Sequence, residues 1–281
     1  MLTSKNVLLC IFSYNMGTTL ERCIQSTLKM CPGFDVAVID DQSEDPVTRA
    51  TIEKYRPQLK LCVTSTEEKE GRRHGNLYRN IQKMCGYAQD EGYEFIFLIQ
   101  DDMQFVRPFD EPIQKQYGEL FASDNRVLQV DPRFLRKGHS YEILEDVKAY
   151  RFPDGDYRCS YADVGILRLS KLEELDWIFR ESESENKKDL AQLGYVRLFP
   201  FSPIVMHVPF PKTYRAGRRK RSLLPLRRGV YEFHEMTSRE QEEMDRRDLR
   251  DIPYFRRYLR TKGMLLARLV YAIVTDASAL R

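Results

Sequence analysis

Three polar or acidic clusters, each directly after a short apolar run, are the residues of this chain best suited to chemistry. Val7–Phe12 is followed by Ser13-Tyr14-Asn15, Val36–Ile39 by Asp40-Asp41-Gln42-Ser43, and Phe95–Ile99 by Gln100-Asp101-Asp102. An aspartate at such a place can simply cap the next turn or helix. Two Asp-Asp pairs after successive buried runs ask for more, because their charges repel unless a cation or a donor-rich ligand compensates. A divalent metal together with a diphosphate meets that need. Mg²⁺ or Mn²⁺ prefers oxygen ligands, commonly one or two carboxylates plus phosphate oxygens.

The elements that must position these clusters follow from pattern. The three runs are continuously apolar rather than alternating, as expected of strands buried on both faces of a parallel sheet. Leu59–Val63 is a weaker fourth candidate. Between them lie helical patterns. Thr18 and Glu21 have capping-box spacing, and Leu20, Ile24 and Leu28 recur at helical intervals. Leu77, Ile81, Met84, Cys85 and Ala88 form one apolar stripe before the third run. Strand and helix alternating in this way predict a doubly wound α/β sheet. Right-handed crossovers then bring all strand C-terminal ends to one edge, where ligands of open sheets bind. The middle of the chain, 106–210, has turn signals at Arg107-Pro108, Asp131-Pro132 and Pro153-Asp154-Gly155, and a helix-like stretch at Ser170–Phe179. Toward the end, Thr237 and Glu240 again have capping-box spacing.

The composition excludes several classes. The chain has 281 residues, 42% of them hydrophobic and 31% charged, which suits one large folded domain or two closely packed ones and not a disordered chain. None of the six cysteines forms a C-x-x-C pair, so no zinc or redox pair of that type is expected. Cys10, inside an apolar run, reads as a small core residue. The start lacks a signal-peptide build, and no stretch reaches the apolar length of a membrane helix. A reducing, cytoplasmic compartment is the expectation.

In sequence the chain resembles the inverting glycosyltransferases of family 2, which have the GT-A fold. Four motifs in order carry the resemblance over about residues 5–105: Tyr14-Asn15, Asp40-Asp41-Gln42-Ser43, Arg79-Asn80 and Gln100-Asp101-Asp102. The resemblance implies a Rossmann-like, mostly parallel sheet flanked by helices, with a helical C-terminal tail. It implies a nucleotide-sugar-binding half over 1–105, an acceptor-binding half of the same domain over 106–229, and an extension over 230–281. Tyr14, Asn15, Asp40, Asp41, Arg79 and Asp101 would face the nucleotide sugar, with Asp41 or Asp40 on the base or ribose. Asp102 would ligate the Mn²⁺ or Mg²⁺ that bridges the donor phosphates. Gln100 departs from the family, where an Asp is common, and this puts metal affinity or donor choice in question. The family also shows a Gly, a Pro and then a His, matched here by Gly194, Pro200 and His207 (207 − 194 = 13), so His207 is a further metal candidate. An acidic general base is expected about 11 or 12 residues before that Gly. Glu181, Glu183 and Glu185 lie in this window, Glu183 first among them (194 − 183 = 11), although the usual Glu-Asp pair is absent. Asp163 is the second candidate.

Lys212–Arg228 holds eight basic residues and no acidic one, against a net charge of +3 for the whole chain. Such a loop, with Arg215, Arg218 and Arg219 at its centre, suits a donor diphosphate or a phosphorylated lipid acceptor. Nucleic acid is not expected as a partner, since aromatics are not interleaved with the basic residues. The tail from Tyr254 to Val270 mixes basic and apolar residues. It can lie on an anionic membrane surface, pack on its own domain, or pair with a second subunit as a homodimer. The expected activity is transfer of a sugar to an acceptor hydroxyl in polysaccharide or glycolipid assembly, the acceptor being a saccharide, a lipid-linked sugar or a protein. Two other readings stand beside it. A nucleotidyltransferase would open with a Gly-rich basic loop after the first strand, where this chain has Ser13-Tyr14-Asn15-Met16-Gly17. A non-catalytic nucleotide-sugar-binding protein on the same scaffold is the third.

Overall fold

The computed structural model describes residues 2–66, 76–209, 232–263, 265, 266 and 269, and the backbone of 214–215 and 218–219. In chain order the strands are β1 (Val7–Ser13), β2 (Asp35–Asp40), β3 (Leu61–Thr64), β4 (Phe95–Gln100), β5 (Met103–Phe105), β6 (Val127–Val130), β7 (Glu142–Leu144), β8 (Ala149–Arg151), β9 (Gly165–Arg168), β10 (Val196–Pro200), β11 (Val205–His207), β12 (Tyr214–Arg215) and β13 (Arg218–Arg219). The helices are α1 (Thr18–Met30), α2 (Pro46–Tyr55), α3 (Leu77–Asp90), α4 (Glu111–Ser123), α5 (Leu169–Glu174), α6 (Glu183–Gln192), α7 (Ser238–Asp245) and α8 (Phe255–Tyr258).

Nine strands form one sheet in the order β3-β2-β1-β4-β9-β6-β10-β8-β7. The pairings make β9 and β8 the strands that run against the other seven. The continuous apolar runs have a plain cause, because alternate residues enter cores on opposite faces. Val7, Leu9, Ile11, Val36, Val38, Phe97 and Ile99 join one core with Leu20 and Ile24 of α1 and Ile113 and Tyr117 of α4. Leu8, Cys10, Phe12, Ala37, Ile39, Ile96 and Leu98 join the other with Ile81, Met84, Cys85 and Ala88 of α3. Every residue of β1 is buried, as a strand covered on both sides requires.

Two local expectations are corrected. Thr18 does not cap α1: the N-cap is Gly17, with φ 54, and no side chain caps the helix there. Gly17 donates its N–H to Thr48 Oγ1 at 2.7 Å, so α2 supplies what a capping side chain would have given. The helix expected over Ser170–Phe179 is only α5, because Asp176 turns left-handed (φ 46) and Trp177 N–H closes on Leu172 O at 2.9 Å. The second capping box is present, Thr237 and Glu240 each accepting the other's backbone N–H.

Gly165 opens β9 with φ 112, where a Cβ would stand 2.9 Å from the backbone oxygen of Val130. Gly165→Ala must therefore strain φ and push two paired strands apart. A loss of about 2–3 kcal/mol is expected, read as a lower urea midpoint at unchanged slope. A midpoint within error of the parent contradicts this.

Toward the end of the described residues, α7 and α8 pack against the segments that follow β4, β6 and β10. Phe233, Met236, Met244, Phe255 and Leu259 form a small core with Val106, Phe134 and Met206. Gln104 exchanges hydrogen bonds with the backbone of Phe233 at 3.0 and 2.8 Å. Leu265, Leu266 and Leu269 are exposed. Among the described residues no helix is long and apolar enough to cross a membrane.

Candidate active site at the strand ends

Register brings the acidic clusters to one rim. Ser13 of β1 pairs with Asp40 of β2, and Phe12 pairs with Gln100 of β4, so the three strands end at the same level. Asp41 and Asp101 thus flank Tyr14 two strands apart, roughly 10 Å at ordinary strand spacing. Asp101 accepts the Tyr14 N–H at 2.7 Å and donates its own N–H to Phe12 O at 3.2 Å.

The two members of the first pair do different work. Asp40 folds its own turn, accepting Ser43 N–H at 2.8 Å and Ser43 Oγ–H at 2.6 Å. Asp41 accepts from Asn76, the residue before α3, through Nδ2 at 3.0 Å and N–H at 3.3 Å. Asn15 (φ 54) ties the loop together, its Oδ1 accepting the N–H groups of Glu44 and Asp45. Its Nδ2 is buried without a partner.

His207 reaches Asp102 across 105 residues because β11 pairs antiparallel with β5, His207 opposite Met103. Its Nδ1 stands 2.9 Å from Asp102 Oδ1, and its Nε2 lies 3.2 Å from Arg133 Nη1. Behind Arg133 is a buried ion network. Asp131 accepts from Arg133 Nε at 2.8 Å and Nη2 at 2.5 Å, and from Arg197 at 3.3 Å. Sequence reasoning treated Asp131-Pro132 as a turn only. Only a weak signal was present: Val127–Val130, interrupted by Gln129, is followed by Asp131.

Asp163 and Glu183 converge beside this network. Gln129, wholly buried, fixes the loop carrying Asp163 by donating to Ala162 O at 2.8 Å and Val164 O at 3.0 Å. Glu183 is the first residue of α6, whose start is set by Ser182 as N-cap and by buried Asn186 donating to Arg180 O and Ser182 O. Glu183 pairs with Lys187 at 2.8 Å. Desolvation, then repulsion from Glu183, pushes the Asp163 carboxyl up to about 6, Arg133, His207 and Lys187 pulling the other way. Desolvation also acts to raise Glu183, but Lys187, Arg133 and Arg197 outweigh it and hold its carboxyl below the usual range. Arg79 Nε stands 4.0 Å from Glu181, linking α3 to the segment before Glu183. Glu185 is exposed on α6 and bonds to Ser182. Arg215, Arg218 and Arg219 lie on the hairpin β12–β13, and their side chains fall outside the described residues.

Among the described residues no cluster of three or more His, Cys, Asp or Glu side chains could hold a metal alone. Asp102 and His207 nevertheless fit one. Neighbouring ligands on an octahedral ion at ~2.1 Å lie about 3 Å apart, close to the observed contact. Such an ion would take its remaining ligands from phosphate and water.

The sequence model of glycosyl transferase family 2 matches residues 9–169, more than half of the chain. The chain belongs to glycosyl transferase family 2. The match covers β1 to β9, and so the rim with Asp41, Asp101 and Asp102, together with Asp163. This family 2 glycosyltransferase is similar in fold to Staphylococcus aureus TarS residues 1–349 in complex with UDP, at 17% identity and TM-score 0.49 over 71% of this chain and 59% of that one. It is also similar to the Pyrobaculum calidifontis mannosyltransferase PcManGT in complex with GDP-Man and Mn²⁺, at 16% identity and TM-score 0.48 over 100% of this chain and 74% of that one. The chain thus spans 59% of the TarS fragment. No curated protein matches it.

Proposed function

We propose that this family 2 enzyme moves a sugar from a nucleoside-diphosphate donor to an acceptor hydroxyl, with inversion, in the presence of Mn²⁺ or Mg²⁺. The observation that carries the reading is the Asp102–His207 contact on the same rim as Asp41 and Asp101. Residues 1–105 form the donor half and 106–229 the acceptor half, with 230–281 an extension of which Phe233, Met236, Met244, Phe255 and Leu259 pack on them. Asp41, oriented by Asn76, receives donors of the base or ribose. Asp101, held by the Tyr14 N–H, faces the ribose or the donor sugar. Asp102 and His207 would hold the cation, which when bound neutralises charge on the leaving diphosphate. Arg215, Arg218 and Arg219 add positive charge for the same phosphates.

The Asp163–Glu183 pair takes the acceptor proton. A base works best with a pKa near the working pH, which favours Asp163, while Glu183 stays ionised and keeps Asp163 basic. A base must be unprotonated to act. The value of about 6 for Asp163 therefore predicts kcat/KM that is level above this pH and falls tenfold per unit below it. An acid limb centred near the ordinary carboxylate value, about 4, contradicts the assignment to Asp163.

A thermal-shift panel of nucleoside diphosphates with and without Mn²⁺ tests the whole reading. One base is expected to stabilise the chain, and only with the cation. No shift with any of them overturns it.

A further inference from the structure

Two statements about His207 cannot hold at once. A guanidinium carries only donors, so Arg133 Nη1 at 3.2 Å from Nε2 requires a bare lone pair on that nitrogen. Neutral imidazole has one N–H, which must then sit on Nδ1 and be donated to Asp102 Oδ1 at 2.9 Å. A cation shared by Asp102 and His207 needs the opposite, a lone pair on Nδ1 and the proton on Nε2. That proton would face the N–H of Arg133. Arg133 is not free to swing aside, because its Nε and Nη2 are clamped on the two oxygens of buried Asp131, which Arg197 holds in turn. Its backbone also bridges to Val205 in the strand that carries His207.

We propose that Arg133 is a positioning residue that latches His207 in the Nδ1–H tautomer, so that Arg133 and a divalent cation compete for the imidazole. Loading the site moves one proton from Nδ1 to solvent, places one from solvent on Nε2, and breaks the Arg133 bond. The number of protons bound does not change. This rests on the reading of Asp102 and His207 as a cation pair. Its consequence is weak binding of the bare ion, so that the cation enters with the phosphates that add to its ligands.

Imidazole ¹⁵N NMR of the full chain without metal, with His207 assigned by its loss in His207→Gln, reads the tautomer directly. The parent is expected to show Nδ1–H with a bare Nε2, and Arg133→Met to shift His207 toward Nε2–H. Loss of a hydrogen bond from a charged donor should also let Arg133→Met bind Mn²⁺ with pyrophosphate about tenfold more tightly, by electron paramagnetic resonance of the free ion. A merely electrostatic role for Arg133 would leave the tautomer unmoved and overturns the latch, as does Nε2–H in the parent. Should Arg133→Met not fold, the parent spectrum decides. If the parent shows the expected tautomer but neither protein takes up Mn²⁺, the cation reading fails and the competition with it.

Discussion

Asp102→Ala will lower sugar transfer on the order of 10³-fold while the fold stays intact. The carboxylate is the one oxygen ligand that the Asp102–His207 pair offers a cation, and charge stabilisation at a leaving group is worth several kcal/mol. Its loss should not unfold the chain, because Asp102 is partly exposed and His207 keeps its contact with Arg133. The check is the initial rate of nucleoside diphosphate release from the donor that the thermal-shift panel selects, at saturating Mn²⁺, beside a melting curve. A rate within threefold of the parent would remove the metal from the account.

Asp131→Ala acts on stability. Asp131 is wholly buried, and its two oxygens answer two guanidinium groups that are themselves buried or nearly so. Removing one partner of such a network leaves charge with no partner, at a cost of about 3–5 kcal/mol. Burial by itself would raise the Asp131 carboxyl, but Arg133 and then Arg197 pull it below its ordinary value. A folded-state pKa below the unfolded one stabilises the protein above the unfolded value, about 3.9, and this stabilisation fades as pH falls through the folded value. Urea unfolding should therefore show a large loss for Asp131→Ala near pH 7, and a parent that weakens only at more acidic pH. A loss below 1 kcal/mol contradicts the network.

The same chemistry explains what could be read before the fold was seen. Strands β1, β2 and β4 were legible because a strand buried on both faces is apolar throughout. Their ends were legible because polar residues stop such a run abruptly. His207 was singled out only through the resemblance to family 2, and its bond to Asp102 depends on the β5–β11 pairing, which no local pattern announces. Arg133, Asp131 and Arg197 were not legible as a unit. Asp131 and Arg133, two residues apart, look like an exposed turn, Arg197 lies 66 residues on, and only packing reveals that they neutralise one another inside. Asp163 was visible as an acid near a glycine, whereas its raised pKa comes first from burial and then from Glu183, twenty positions on and carried by a different element. The missed cap at Thr18 has a similar origin, since Thr48 of α2 took over the role of a side chain at the start of α1.

The central claim is that one cleft at the ends of β1, β2 and β4 binds a nucleoside diphosphate through a cation. The most direct measurement is a crystal structure of the full chain with Mn²⁺ and the nucleoside diphosphate that the panel selects. The account predicts the base or ribose against Asp41 and the diphosphate on an ion held by Asp102. A nucleotide bound elsewhere, such as the groove between Tyr93, Phe121 and Arg168 on another part of the molecule, with Asp102 untouched, would contradict it.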